Sequence, residues 1–539
     1  MKRQLMSKVI AICIILTIYS SCNLDDFDFE KMADPSFGVG IKAPIASGSY
    51  TMGQIIDNID DPDSLIIVDN EGLFRISYVD DNIFTFHAFE LVSIPNILTP
   101  NDFEIGINDL VGTSLPDGGS YLVIKDADPF IEEKEHTVDV GNEGNDEDIF
   151  LTEMRIGSSD FIVKLTTSIN SPMTAIITLD NCYKNGVPVT CTLTDSEPTK
   201  TISLAGSTID FTQSNKENLL LYSTSVKLED NDNAYIESTD WVNINLTLTD
   251  IHPEYIAGDF GQKIIDIDPE VLDFTSEVFE SLGGNIILEN PIFKLNISNS
   301  IGVPSAVDFQ LSADTKDETS VLLNPSNINI EIPSKVGENT TVENIIDRTN
   351  SDIIEFVSSL PADSIKYFGD IEMNKEGRVN TNFVTDESMI SIDLEMDLPL
   401  EITVESMGIQ DTVPMDALDM EVSLDNTSLW INANNSIPLA ISSEIIFIDT
   451  DNNKILSRRI KLTDFAAAKA DKNGNTIESV NSEIQIELSA DDMLNILEAN
   501  SMVFDARFQS PEEGKSPARL KEEYQLDIEM KLETRATLN

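Results

Sequence analysis

Positive charge is scarce in this chain. Thirty-four Lys and Arg face 95 Asp and Glu, a formal net charge of −61 over 539 residues. Without basic patches there is nothing to displace counterions from phosphates, which excludes a general nucleic-acid binder. Electrostatic adhesion to anionic lipid headgroups is disfavoured for the same reason. Histidine is also rare: His87, His136 and His252 are the only three, and they fall in separate segments. There is no Gly-x-Ser-x-Gly elbow, no His-Glu-x-x-His helix, no phosphate loop and no dinucleotide fingerprint. Nucleophilic triads and zinc hydrolysis therefore lack their residues. The chain is expected not to be an enzyme and to need no cofactor or metal.

Apolar residues nevertheless make up 41%, enough for packed interiors, and the length suits roughly three or four domains. The dominant periodicity is two. Ile390, Ile392, Leu394, Met396 and Leu398 alternate with Ser391, Asp393, Glu395 and Asp397. Tyr524, Leu526, Ile528, Met530 and Leu532 alternate with polar residues, as do Val242, Ile244, Leu246 and Leu248. Each run reads as a strand with one buried and one wet face. The fold expected is mostly β, with tandem antiparallel β-sandwich domains holding at most one short helix each. Helical spacing is confined to Ile345–Leu360, Asp491–Ala499 and Met52–Ile59.

The N-terminus carries an address. Lys2, Arg3 and Lys8 precede the apolar run Val9–Ile18, which rises only about 15 Å as a helix and is too short to span a bilayer. It reads as a secretory signal. Tyr19-Ser20-Ser21-Cys22 follows and resembles a bacterial lipobox, in which Cys22 is lipidated and becomes the first mature residue. The acidic cluster Asp25-Asp26-Phe27-Asp28-Phe29-Glu30 resembles the surface-export signal of Bacteroidota lipoproteins, and the stretch from Phe27 to Ile56 looks like the opening of uncharacterised lipoproteins of that phylum. This resemblance implies an outer-membrane lipoprotein at the cell surface, attached to the membrane through its N-terminal lipid.

Cysteine usage agrees with export. Once the signal takes Cys13 and lipid takes Cys22, only Cys182 and Cys191 remain. A turn at Asn185-Gly186, built as the four-residue loop Asn185–Pro188, would set residue 182 opposite 191 and allow a disulfide between Cys182 and Cys191. Two free thiols are the alternative.

A duplication organises the C-terminal half. At an offset of 136, Leu288 matches Leu424, Asn290 matches Asn426 and Asn296 matches Asn432. Asn299-Ser300-Ile301 then matches Asn435-Ser436-Ile437, and Pro304 and Pro438 follow. Ser364 and Tyr367 match Ser501 and Phe504 at 137. In the middle, Ile328–Ile332 aligns best with Ile484–Leu488 at 156. The Glu289-Asn290-Pro291 start and the single helix resemble the β-sandwich of late-embryogenesis water-stress proteins, which implies no enzymatic activity. A further copy is expected from about Phe161, with Asn181 to Pro188 as its turn. The domains expected are the signal at 1–21, a β-rich region at 22–158, a sandwich-like domain at 159–284, and the two repeats at 285–420 and 421–539. Acidic, Gly-rich Asp139–Asp148 reads as an exposed linker.

Two turns, Asp449–Asn453 and Asp471–Asn475, have oxygen ligands at alternate positions but lack the distal Glu of a calcium loop. Turn chemistry accounts for both. The two tryptophans are the candidate binding residues. Trp241 shares strand parity with Asn243 and Asn245, and Trp430 with Asn432 and Asn434, so both rings face away from their own cores. Such a ring can stack on a sugar or anchor a protein. The alternative is packing against a neighbouring domain. The function expected is binding or spacing at the cell surface, with a glycan or protein partner and no nucleic acid. A carbohydrate-active enzyme using paired carboxylates and an apolar-ligand carrier are the alternatives.

Overall fold

The computed structural model describes residues 39–56, 65–92, 94, 96–122, 128–137, 149–214, 216–229, 235–272, 279, 286–315, 319–377, 379, 381–414, 427–449, 454–455, 460–489 and 501–536. Cys22, the linker at 139–148, the helix expected at 491–499 and residues 450–453 of the first calcium-like turn lie outside these. The chain is mostly β: its sheets are antiparallel and its helices few and short, among them Met52–Ile56 and Ile353–Ser358. Where a longer helix is expected over Ile345–Leu360, a strand, Thr340–Ile346, comes first. Local side-chain bonds explain the difference. Asp347 accepts from the Thr349 amide at 2.7 Å, and Asn350 donates to the Ile345 carbonyl at 2.7 Å, so these residues close a turn that competes with helix.

Three units of the same topology follow one another. Their opening strands are Phe150–Thr167, Ile292–Asn299 and Thr427–Asn435, and their closing strands are Trp241–Asp259, Met389–Pro399 and Gln525–Ala536. Opening and closing strands pair antiparallel in each unit. The second strands, Met173–Lys184, Ser305–Thr315 and Ala440–Asp449, pair with the penultimate strands Leu219–Leu228, Ala362–Met373 and Ser501–Gln509. In the second unit, Phe293, Leu295 and Ile297 of the opening strand are buried together with Ile390, Ile392 and Leu394 of the closing strand and with Phe309 and Leu311 of the second strand. Each such side chain contributes about 1.5–3 kcal/mol by leaving water, so the period-two pattern sets which face turns inward.

The repeat shows most sharply at the turn after each opening strand. Asn299, fully buried, accepts from the Ile301 amide at 2.8 Å and donates to the Glu331 carbonyl at 2.9 Å. Ser300 and Met389 then exchange two bonds: Ser300 N–H to Met389 O at 3.0 Å, and Met389 N–H to Ser300 Oγ at 2.9 Å. One period on, Asn435 accepts from the Ile437 amide at 2.9 Å and donates to Ala466 O, while Ser436 and Gln525 make the same exchange at 2.9 and 2.7 Å. The middle strands correspond differently from the sequence expectation. Thr340 stands opposite Asn299 and Val480 opposite Asn435, an offset of 140, and Ile328–Ile332 is not a strand.

Residues 39–106 are not a domain of their own, which corrects the division expected at 22–158. Val39–Thr51 pairs with the closing strand of the third unit, Phe74–His87 with that of the second, and Ile97–Gly106 with that of the first. The chain therefore runs up the three closing strands one by one, in reverse order, and then returns through the three units. Three further strands, Phe130–Thr137, Lys263–Val271 and Met407–Pro414, border the penultimate strands.

The units meet end to end. The end of the first closing strand, Tyr255–Gly258, pairs with Asn382–Thr385 beside the turn of the second unit. Below the second closing strand, Glu401 and Ile402 pair with Arg519 and Ala518 beside the turn of the third. Glu401, 6% exposed, is held there by Arg519 and Asn290.

Cys182 and Cys191 do not form the expected disulfide; both are free, buried thiols. The connecting turn has only two residues, Asn185 and Gly186, both at positive φ, so Lys184 pairs with Val187 and Tyr183 with Pro188. The register then slips across residues 180–182, Leu179 pairs with Val189, and Cys191 falls opposite Ile177. Cys182 leaves the hairpin to pair with Ile209. Asn181 fixes the slip: it donates to Asp210 O and Leu219 O and accepts from the Leu221 amide. The turn at 181–188 is thus not the counterpart of the Asn-Ser-Ile turns.

Candidate functional site

The opening and closing strands of the third unit lie between Val39–Thr51 and Val480–Leu488 in a four-stranded sheet. Ile431 and Ala433 are buried, which turns Trp430, Asn432 and Asn434 to the opposite face. Register sets out the rest of that face in rows. Ser49, Asp527, Asn434 and Asn481 form one row, and Ser47, Glu529, Asn432 and Glu483 the next. Lys531, Trp430 and Gln485 form a third. The first two rows line an open groove of about 850 Å³, within the ~300–1,000 Å³ of ligand sites.

The groove offers amides, hydroxyls and carboxylates. Asn434 Nδ2 reaches Asp527 at 3.5 Å, as does Gln525 Nε2 at 3.3 Å. Lys531, the cation on the neighbouring row, bonds Glu529 at 2.9 Å, and among the described residues that line the groove none is Lys or Arg, while Asp527, Glu529 and Glu483 are acidic. Half-buried Trp430 borders the groove, its indole N–H donating to Glu533 at 2.7 Å, which fixes the ring's orientation. This arrangement can bind a polar, uncharged ligand through planar hydrogen-bonding groups and an aromatic edge.

Trp241 stands elsewhere, at the start of the first unit's closing strand and 42% exposed. The structure does not bring the two tryptophans to one site. Nor does it gather the histidines: His87 lies on the ascending strands, His136 on a border strand, and His252 in the first closing strand, where its Nδ1 is 2.9 Å from Asp250 O. Among the described residues no group of three or more His, Cys, Asp or Glu is placed to hold a metal ion. Asp471 closes its turn by accepting from the Asn475 and Asn473 amides at 2.9 Å, which holds its carboxyl below the usual range. Sequence alternation marks Asn432, Asn434, Asp527 and Glu529 as outward-facing. Ser47 and Ser49 carry no such signal, because they reach the groove only through pairing across the whole chain.

No protein-family model and no curated protein matches the chain. Among solved structures, a protein of Parabacteroides distasonis described as secreted aligns over 51% of this chain and 89% of its own, at 13% identity and a TM-score of 0.29. The Sulfolobus turreted icosahedral virus structure aligns over 76% of this chain and 91% of its own, at 10% identity and a TM-score of 0.12. A second archaeal-virus structure, described by a triple jelly roll fold and turret assembly, gives the same coverage and identity with a TM-score of 0.11. Scores of this size carry no argument about fold or function.

Proposed function

We propose that this is a non-catalytic, surface-exposed outer-membrane lipoprotein, tethered through Cys22, that acts as a spacer and binds a neutral glycan on the polar sheet face of its third unit. One observation carries the binding half: a groove of Asn, Ser and carboxylate side chains with no Lys or Arg among its described lining residues, bordered by an oriented Trp430. Neutral sugars present many hydroxyls and apolar ring faces, which match such a lining. Anionic ligands would be repelled by Asp527, Glu529 and Glu483. The Tyr19–Cys22 junction carries the tether.

The test is calorimetry of the full-length protein in detergent against cello-, xylo-, malto- and mannohexaose. At least one should bind with a dissociation constant between about 1 µM and 1 mM, and Trp430→Ala or Asn432→Ala should weaken it about tenfold, ~1.4 kcal/mol. Absence of binding, or binding indifferent to both substitutions, overturns the glycan reading. Shortening of a hexaose during the titration would favour the carbohydrate-active enzyme instead. Palmitate labelling that persists in Cys22→Ala would overturn the tether.

A further inference from the structure

We infer that the molecule stands on its third unit, so that the C-terminal unit faces the membrane and the turn end of the first unit is the outermost surface. The inference rests on the Cys22 tether proposed above and adds a polarity to it.

Three observations carry it. Val39, the first residue of the ascending strands, pairs with Ala536 at the free end of the third unit, so both ends of the described chain lie there. Sixteen residues lie between Cys22 and Val39, a reach of at most about 60 Å even when fully extended. From that base the chain climbs in one direction only. Thr51 reaches the turn end of the third unit opposite Gln525, His87 that of the second opposite Met389, and Gly106 that of the first opposite Trp241. The turn ends of the second and third units each meet the unit above, and among the described residues the first unit's turn end meets no further unit. Base and tip are therefore separated by three closing strands placed end to end, on the order of 100 Å.

Charge acts in the same sense. A chain of −61 is repelled from an anionic bilayer, which favours an upright tether over one lying flat. Exposed Trp241 and Tyr235 both belong to the outer end.

The experiment uses full-length acylated protein in vesicles containing anionic lipid and a headgroup-attached quencher. One fluorophore is placed on Ser196→Cys, in the exposed loop beside Met173 and Thr174 at the tip, and in a second preparation on Glu487→Cys, exposed next to the base pair Leu488 and Thr427. The native thiols Cys182 and Cys191 are buried. Quenching several-fold stronger at position 487 than at 196 is the expected result. Equal quenching, or stronger quenching at 196, overturns the polarity. A Cys22→Ala control separates the two readings: if it still joins the vesicles, the tether fails whatever the quenching shows.

Discussion

Ser168 and Trp241 exchange two hydrogen bonds: the Ser168 amide donates to the Trp241 carbonyl at 3.1 Å, and the Trp241 amide donates to Ser168 Oγ at 2.9 Å. This is the exchange that Ser300 makes with Met389 and Ser436 with Gln525. Thr167 takes the place of the buried Asn, its hydroxyl accepting from the Ile169 amide at 3.0 Å. Thr167-Ser168-Ile169, followed by Pro172, is the first of three homologous turns, and Trp241 heads its closing strand.

The Asn at these turns should matter more than the Ser. Asn435→Ala leaves the Ile437 amide and the Leu439 and Ala466 carbonyls unpaired inside the protein, at about 1–3 kcal/mol. Ser436→Ala removes one hydroxyl at a less buried position and should cost about 1 kcal/mol. Three linked units need not unfold as one transition, so the loss is best read as faster amide exchange within 427–536. Equal effects from both substitutions would contradict the assignment.

Deleting 39–51 should uncover the edge of Gln525–Ala536. Amide protection of that strand is expected to fall and the protein to self-associate, because an unpaired strand edge is a template for another chain. The first unit should keep its protection. Unchanged exchange across 525–536 would mean that the ascending strand is dispensable.

Burial pushes the Cys182 thiol up to about 12 from 9.0. The native state therefore holds this proton at pH values where the unfolded chain has released it, and stability falls as pH rises from about 9 towards 12. Cys182→Ala should flatten that part of the unfolding profile. Under native conditions at neutral pH, maleimide should modify neither Cys182 nor Cys191, and after unfolding it should modify both. A mass short of two hydrogens would reveal the disulfide instead.

Glu401 sits 6% exposed between the second and third units, with Arg519 as its cation. Arg519→Met strands a buried carboxylate and should destabilise this junction by about 3 kcal/mol. Adding Glu401→Gln should restore much of the loss, since the uncompensated charge is gone. Thermal unfolding of both variants checks this, and an Arg519→Met protein as stable as the parent would sink it.

Alternation made Ile390–Leu398 and Val242–Leu248 legible as strands, and the Asn-Ser-Ile spacing exposed two of the three units. The first unit was expected from about Phe161, but its turn was misplaced at 181–188 because Thr167 performs with a hydroxyl what Asn299 performs with an amide, so function persists where identity does not. The cysteine pairing failed because the register slip at 180–182 depends on where Asn181 finds its backbone partners, and these lie 29 to 40 residues away. The ascending strands were legible only as a β-rich region, and their pairing left no local mark. Nothing near Ser49 states that its neighbour will be Asp527, because strand edges are matched by backbone groups common to every residue. The groove is half legible for the same reason: its Asn and acidic side is written in the alternation, its Ser side only in the pairing.

The central claim is that the N-terminal strands complete sheets belonging to units far along the chain. A Ser49→Cys and Asp527→Cys pair, made with Cys182→Ser and Cys191→Ser, tests it directly, since antiparallel neighbours lie within disulfide reach. Mild oxidation of the native protein should join position 49 to position 527, with a shift in non-reducing electrophoresis and the linked peptide seen by mass spectrometry. Thiols that stay reduced in the folded protein would contradict the account.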